Sequence, residues 1–284
     1  MSAIAQGTEA TAVREAVSAA YAQRVSEDRK CCGGSEGAAC GVGPEALGYT
    51  EEDVQRVPEG AAAPSYGCGN PLAFSGVQEG DTVVDLGSGA GFDLLIAAER
   101  VGPTGRVIGV DMTDAMIERA RQNVATAGHT NVEVRKGLIE ELPVESGAVD
   151  WIISNCVINL SPEKHRVFAE IARVLKPGGR MLISDIVADD LPAAVRNSLA
   201  ALSGCVGGAI SEAEYVAGLQ AAGLVDVEVR QRTRYTCAEL IGLAESLELT
   251  DASLGVEGIE GGLSQLAEGL DGKVASIAVH ARKP

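Results

Sequence analysis

Seven cysteines and one glycine-rich turn are the parts of this 284-residue sequence whose types and spacing suit chemistry. Three of the cysteines stand in turns: Cys68 in Tyr66-Gly67-Cys68-Gly69-Asn70-Pro71, Cys156 in Ser154-Asn155-Cys156-Val157, and Cys205 in Gly204-Cys205-Val206-Gly207-Gly208. Cysteine often packs as a small hydrophobe, but glycine-flanked turns bury a lone hydrophobe poorly and present a thiol well. Cys31, Cys32 and Cys40 fall in a stretch from Cys31 to Gly48 too glycine-rich for regular structure, and Cys237 opens a capped helix, where it reads as a packing residue. The chain starts without a basic segment and apolar run of the export type, which points to the cytoplasm. Its thiols are therefore expected to be reduced, and to serve as ligands or nucleophiles.

The second feature is Asp85-Leu86-Gly87-Ser88-Gly89-Ala90-Gly91, where a short apolar run meets a helical one. Glycines there let the backbone pass close to a ligand. Asp111, 20 residues beyond Gly91 at the end of a second apolar run, is placed to accept hydrogen bonds from ribose hydroxyls. The elements that must hold these residues follow from hydrophobic periodicity. Strands are expected from Thr82, at 106–112, 132–136, 149–154, 180–186, 225–232 and 274–282, with helices after the glycine turn and at 113–127, 163–175, 192–203 and 211–222. Strand and helix alternate through most of this, which predicts an α/β fold: a mostly parallel seven-stranded sheet covered by helices on both faces. Capping boxes are read at Ser211/Glu214 and Thr236/Glu239, and an amphipathic helix at 10–25. Residues 1–76 read as an extension with a cysteine-rich loop, and 77–284 as the main domain with an insert at about 187–222. Asp93, Asp114 and the Glu140-Glu141 pair read as helix-start or solvated charges.

Composition excludes several partners. Forty acidic against 23 basic residues give a formal charge of −17, which repels nucleic acid and anionic membranes, and 3% aromatics leave few rings for base stacking. No window approaches the roughly 20 apolar residues of a membrane span. Without a heptad or an exposed sticky strand, a monomer is expected.

Beyond these readings, VVDLGSGAGFD, GVDM, Leu138-Ile139-Glu140, Asp150-Trp151-Ile152-Ile153-Ser154 and VLKPGGRMLISD together resemble the class I S-adenosylmethionine-dependent methyltransferases. The resemblance runs from about Val77 to Pro284. It implies their Rossmann-like fold and S-adenosylmethionine as methyl donor, with Asp85 and Ser88 among its binding residues, Gly87 and Gly89 at its methionine end, Asp111 on the ribose, Met112 against the adenine, and Ile139 and Glu140 at its polar edge. Asn155 would face the reacting methyl, and Tyr66 would cover the cofactor.

The substrate has to come from other residues, because such folds host many. An all-sulfur donor set favours a soft centre such as trivalent arsenic, whose three thiolates make a neutral pyramid with a free lone pair. There is no Cys-x-x-Cys knuckle, and His129, His165 and His280 lack ligand spacing, so no structural metal is expected. YGCGNP, ISNCVINLSP and GCVGGAI resemble segments of the arsenite methyltransferases, in that family's order. This narrower resemblance implies that Cys68, Cys156 and Cys205 bind arsenite or methylated trivalent arsenicals. It also implies an upstream exchange cysteine, Cys40 or else Cys31 or Cys32, and a thiol reductant such as thioredoxin or glutathione. Rival readings are a methyltransferase of small organic molecules and an arsenite-binding protein without turnover.

Overall fold

The computed structural model describes residues 3–26, 49–58, 61, 68–72, 76–246, 249–250, 254 and 262–284. Cys31, Cys32, Cys40 and Tyr66 lie outside the described residues.

The apolar runs form seven strands: β1 Thr82–Leu86, β2 Arg106–Asp111, β3 Val132–Lys136, β4 Val149–Asn155, β5 Leu175–Ala188, β6 Val225–Arg234 and β7 Val274–Arg282. They form one sheet in the order β3-β2-β1-β4-β5-β7-β6. The first five run parallel, and β7 lies antiparallel to both β5 and β6. Central β4 is buried at most of its positions, with Trp151, Ile152 and Ile153 in its middle, because both faces are covered, whereas edge strand β6 carries alternating charges that discourage further pairing. This is the Rossmann-like class I methyltransferase arrangement. Strand order reverses between β1 and β4, and the crevice beyond their carboxyl ends is where open α/β sheets bind ligands.

Helices α1 Ala3–Ser26 and α2 Glu51–Gln55 precede the sheet. Between and after the strands come α3 Phe92–Val101, α4 Asp114–Ala127, α5 Lys164–Val174, α6 Ala193–Arg196, α7 Leu199–Ser203, α8 Glu212–Ala221, α9 Cys237–Ser246 and α10 Gly262–Gly269. Leu94, Leu95, Ala98 and Val101 of α3 and Ile117, Ala120 and Val124 of α4 fill one face of the sheet, and Val167, Phe168 and Ile171 of α5 with Tyr215 and Leu219 of α8 fill the other. A third cluster sits across the carboxyl end: Val17 of α1, Cys156, Ile186, Val195, Ala201, Cys205, Leu240, Leu243 and Leu270.

Four local features differ from expectation. The helix expected at 192–203 is two short ones, because Ser198 is extended and its hydroxyl caps α7 through the Ala201 N–H. The Lys-Pro-Gly-Gly turn lies inside β5, where left-handed Gly178 accompanies a shift of register between β4 and β5. Helix α10 was not expected, and α1 extends beyond its expected 10–25 at its start. The Ser211/Glu214 capping box forms as read, and Thr236 and Glu239 make the corresponding reciprocal bonds.

Gly109, in the middle of β2, shows how tightly the sheet presses on the glycine turn. A Cβ there would lie 2.6 Å from Ser88 Oγ and 3.1 Å from Leu94 Cδ1. Gly109→Val therefore overpacks both, and urea unfolding is expected to show about 1–3 kcal/mol of lost stability; an unchanged midpoint and slope contradict this packing.

Candidate functional site

The crevice holds a cavity lined by Asp85, Gly87, Ser88, Gly89, Asp93, Asp111, Met112, Ile139, Glu140, Asn155 and Cys156, with Arg14, Val17 and Tyr21 of α1 across it. Every described residue expected at the cofactor is thus on its wall. Gly87, Gly89 and Gly91 have φ of +65°, +51° and +93°, a region that side chains rarely adopt, so the turn from β1 into α3 needs glycine. A Cβ on Gly89 would meet nothing within 4 Å, so this backbone faces open space. The Asp111 carboxylate accepts from the Gly89 N–H at 3.0 Å and the Thr113 N–H at 2.8 Å, which fixes the carboxylate and leaves lone pairs for a ligand.

The charge of the cavity is unusual. Asp85 is buried, and burial with the repulsion of Asp93 and Asp111 pushes its pKa well above the usual carboxylate range. Asp93 is pushed up to about 6, mainly by burial, against the lowering effect of hydrogen bonds from Tyr49 and Asn155. Burial raises Asp111 too, with the backbone N–H groups of Thr113 and Gly89 opposing it. The Ser88 hydroxyl is buried with no hydrogen-bond partner among the described residues. A ligand with a cationic centre, a vicinal diol and a flat apolar ring would relieve the repulsion, bond Asp111 and lie against Met112 and Ile139. These residues fit S-adenosylmethionine.

Asp93 stands at a helix start as read, but neither it nor Glu140 is a solvated charge, for each is more than nine-tenths buried. Glu140 accepts from Arg14 Nε at 3.0 Å and from Ser161 Oγ at 2.7 Å, and Arg14 also pairs with Glu163. Asp93 takes the Tyr49 hydroxyl at 2.5 Å. Asp114 is exposed and pairs with Lys136, as a solvated charge does. Arg14, Tyr49 and Asp93 were missed because their partners lie 126, 44 and 62 residues away.

The three cysteine turns meet at one edge of this cavity. β4 ends at Asn155, and Cys156 takes φ +57° while its N–H bonds Ser184 O of β5 at 2.8 Å. Asn155 Oδ1 accepts the Cys68 N–H at 3.0 Å, Asn155 Nδ2 donates to Gly69 O at 2.7 Å, and Ser276 Oγ of β7 donates to Cys68 O at 2.8 Å. Gly69 has no room for a side chain: a Cβ would lie 2.8 Å from Ser184 Oγ. Cys205 has φ +64°, its carbonyl accepts from Asn159 Nδ2 at 3.1 Å, and its thiol donates to Cys156 O at 2.6 Å. Left-handed backbone at a residue with a side chain costs on the order of 1–3 kcal/mol and is retained where the surroundings enforce it.

The expectation of reduced thiols is corrected at two positions: Cys68 and Cys156 form a disulfide. The turns clamped by Asn155 bring their Cα atoms to 5.8 Å, within the span a disulfide bridges. Cys205 is a buried thiol, and Cys237 lies half-buried against the third cluster, as a packing residue would. Among the described residues no helix is long and apolar enough to cross a membrane.

Known proteins give this geometry its family. A methyltransferase-domain family model matches residues 77–223. An arsenite methyltransferase of Halobacterium salinarum is 46% identical over 235 residues, 78% of this chain and 60% of the relative. One of Aquipseudomonas alcaligenes is 37% identical over 208 residues, 69% of this chain and 60% of the relative. The chain thus spans about 60% of the length of these curated relatives. An arsenic(III) S-adenosylmethionine methyltransferase of Chlamydomonas reinhardtii superposes with a TM-score of 0.60 at 30% identity, over 84% of this chain and 72% of that one. With the donor cavity and the cysteine turns in place, the chain belongs to the arsenite methyltransferase family of S-adenosylmethionine-dependent methyltransferases.

Proposed function

We propose that this chain transfers the methyl group of S-adenosylmethionine to trivalent arsenic held by the thiolates of Cys68, Cys156 and Cys205. The observation that carries the reading is the meeting of the Cys68 and Cys205 turns at Asn155 and Cys156, which line the cavity that fits the donor. The named activity of the relatives supports it. Residues 77–284 form the catalytic unit in this reading, with an arsenic-binding insert at about 187–222. Residues 1–76 form the extension, whose helix α1 brings Arg14 and Tyr21 across the cavity.

S-adenosylmethionine, when bound, supplies an electrophilic methyl on a sulfonium. Asp85, Ser88 and the Gly87 and Gly89 backbone would hold its methionine end, and Asp111, Met112 and Ile139 its nucleoside. Glu140, engaged by Arg14 and Ser161, would border the adenine and tie α1 over it. The chain contributes position and dryness, since α1 and the third cluster close the crevice, and holding reacting groups in line provides much of such a rate. Three thiolates and trivalent arsenic form a neutral unit, which avoids the cost of burying net charge. The arsenic lone pair forms the new arsenic–carbon bond while the sulfonium–carbon bond breaks, its electron pair leaving with sulfur. No proton has to be removed, so no general base is required.

Transfer leaves arsenic two electrons more oxidised. Two thiolates that join as a disulfide return those electrons and restore trivalent arsenic. The Cys68–Cys156 bond is of this kind, since it joins two of the proposed ligands. A thiol reductant of the thioredoxin or glutathione type then reopens the site, with or without help from Cys31, Cys32 or Cys40. Detoxification of arsenic in the cytoplasm is the corresponding role.

Replacing Cys156 or Cys205 by Ser is expected to lower arsenite-dependent transfer of labelled methyl by more than about 100-fold, exceeding the 10–100-fold typical of outer partners of a bound centre. Undiminished transfer in these variants overturns the assignment of Cys156 and Cys205 as arsenic ligands, and arsenite binding without label transfer in the unmutated chain points to the binding-protein reading. Oxidation state gives a second test. Before reduction the chain is expected to retain no arsenite on gel filtration, and after reduction one per chain; tight retention by the oxidised chain contradicts the ligand set.

A further inference from the structure

Behind the cysteine turns is a buried group that the transfer step does not use. Asp93 stands in the first turn of α3, next to the glycine turn, and lines the donor cavity. Its Oδ1 accepts from the Tyr49 hydroxyl at 2.5 Å, and its Oδ2 accepts from Asn155 Nδ2 at 3.1 Å. The same Asn155 amide donates to Tyr49 Oη at 3.1 Å and to Gly69 O at 2.7 Å, and through Oδ1 it accepts the Cys68 N–H. Tyr49 Oη also approaches Gly69 O at 3.2 Å, and the Tyr49 ring meets Phe92 edge-on at 4.9 Å between centroids. A carboxylate at position 93 therefore helps to fix which way the Asn155 amide faces, because only that orientation aims Nδ2 at Asp93, Tyr49 and Gly69 O and turns Oδ1 to the Cys68 N–H.

We propose that Asp93, acting through Tyr49 and Asn155, is a positioning residue that sets the Cys68 turn in register with the donor cavity. The catalytic relevance of that turn rests on the reading of Cys68 as an arsenic ligand; the hydrogen-bonded linkage does not. A purely structural carboxylate would be better replaced by an apolar group, since burying a charge is costly unless its partners repay it. Here the partners are the two side chains that reach the Cys68 turn. The charged and titratable groups facing Asp93 are Asp85 at the end of β1, the Tyr49 hydroxyl, and Arg100 of α3, itself 3.8 Å from Asp53 of α2. With its pKa near 6, Asp93 takes up a proton within the range in which the enzyme can be assayed, and the proton removes an acceptor from Tyr49 or Asn155.

Asp93→Asn and Tyr49→Phe test this on the full, reduced chain. In Asp93→Asn the kcat for arsenite methylation is expected to fall by about 10–100-fold, as for a misplaced reacting group, while KM for S-adenosylmethionine stays within about threefold. The unmutated enzyme should lose rate as pH falls through about 6, a limb that Asp93→Asn lacks. Tyr49→Phe keeps the ring contact but removes a bond that lowers the Asp93 pKa, so its acid limb should move to higher pH. Without arsenic or donor, hydrogen exchange at the Cys68 amide should accelerate by about three- to tenfold in Asp93→Asn, the effect of one lost hydrogen bond, with β4 amides unchanged. An unaltered kcat and acid limb, a raised KM alone, or unchanged Cys68 exchange overturns the proposal. If the unmutated chain does not methylate arsenite, the proposed function fails, and the exchange measurement still decides the linkage.

Discussion

The side-chain amide of Asn155 is bonded to both ends of the Cys68 peptide turn, and the proposed site depends on that clamp. It accepts the N–H of Cys68 and donates to the carbonyl of Gly69. Asn155 is the last residue of β4, the strand after which the chain turns left-handed at Cys156. One residue therefore joins the end of the central sheet to a turn that lies 87 positions earlier in sequence. Cys205 comes to the same place from the other direction, through its thiol on Cys156 O and its carbonyl on Asn159. The sheet provides a rigid rim, and the hydrogen bonds choose which thiols stand on it.

The donor cavity and the cysteine turns are built in opposite electrostatic styles. The cavity gathers carboxylates that repel one another and so favours a cationic ligand. The cysteine turns are set in an apolar cluster with Leu160, Ile186, Val206 and Leu240, where a neutral thiolate complex costs least. Asn155 stands between the two. Its neutral amide carries hydrogen bonds from one environment to the other without adding charge to either.

Much of this was legible in the sequence. The strands, the glycine turn and Asp111 are written in local patterns, since an apolar run or a left-handed glycine needs no distant partner to be recognised. The three cysteines were chosen on the expectation that their turns expose a thiol; the turns do meet at one rim, but Cys156 and Cys205 are buried there in an apolar cluster, because the insert and α1 cover the end of the sheet. Asp93 does start a helix as read, but it is not solvated, because Tyr49 and Asn155, distant in sequence, bond it in a buried place. The Cys68–Cys156 disulfide was equally hidden, because cysteine counts and spacings do not fix pairing. The break at Ser198 depends on one hydroxyl preferring a cap to a helix interior, a choice that periodicity does not register.

The central claim is that three sulfurs from distant parts of the chain grip one arsenic atom beside the donor. X-ray absorption at the arsenic edge tests it most directly, on reduced chain loaded with arsenite in the presence of S-adenosylhomocysteine. The account predicts a first coordination shell of three sulfurs and no oxygen, losing one sulfur when Cys205 is replaced by Ser. A shell that retains oxygen, or one that is unaltered by that replacement, contradicts it.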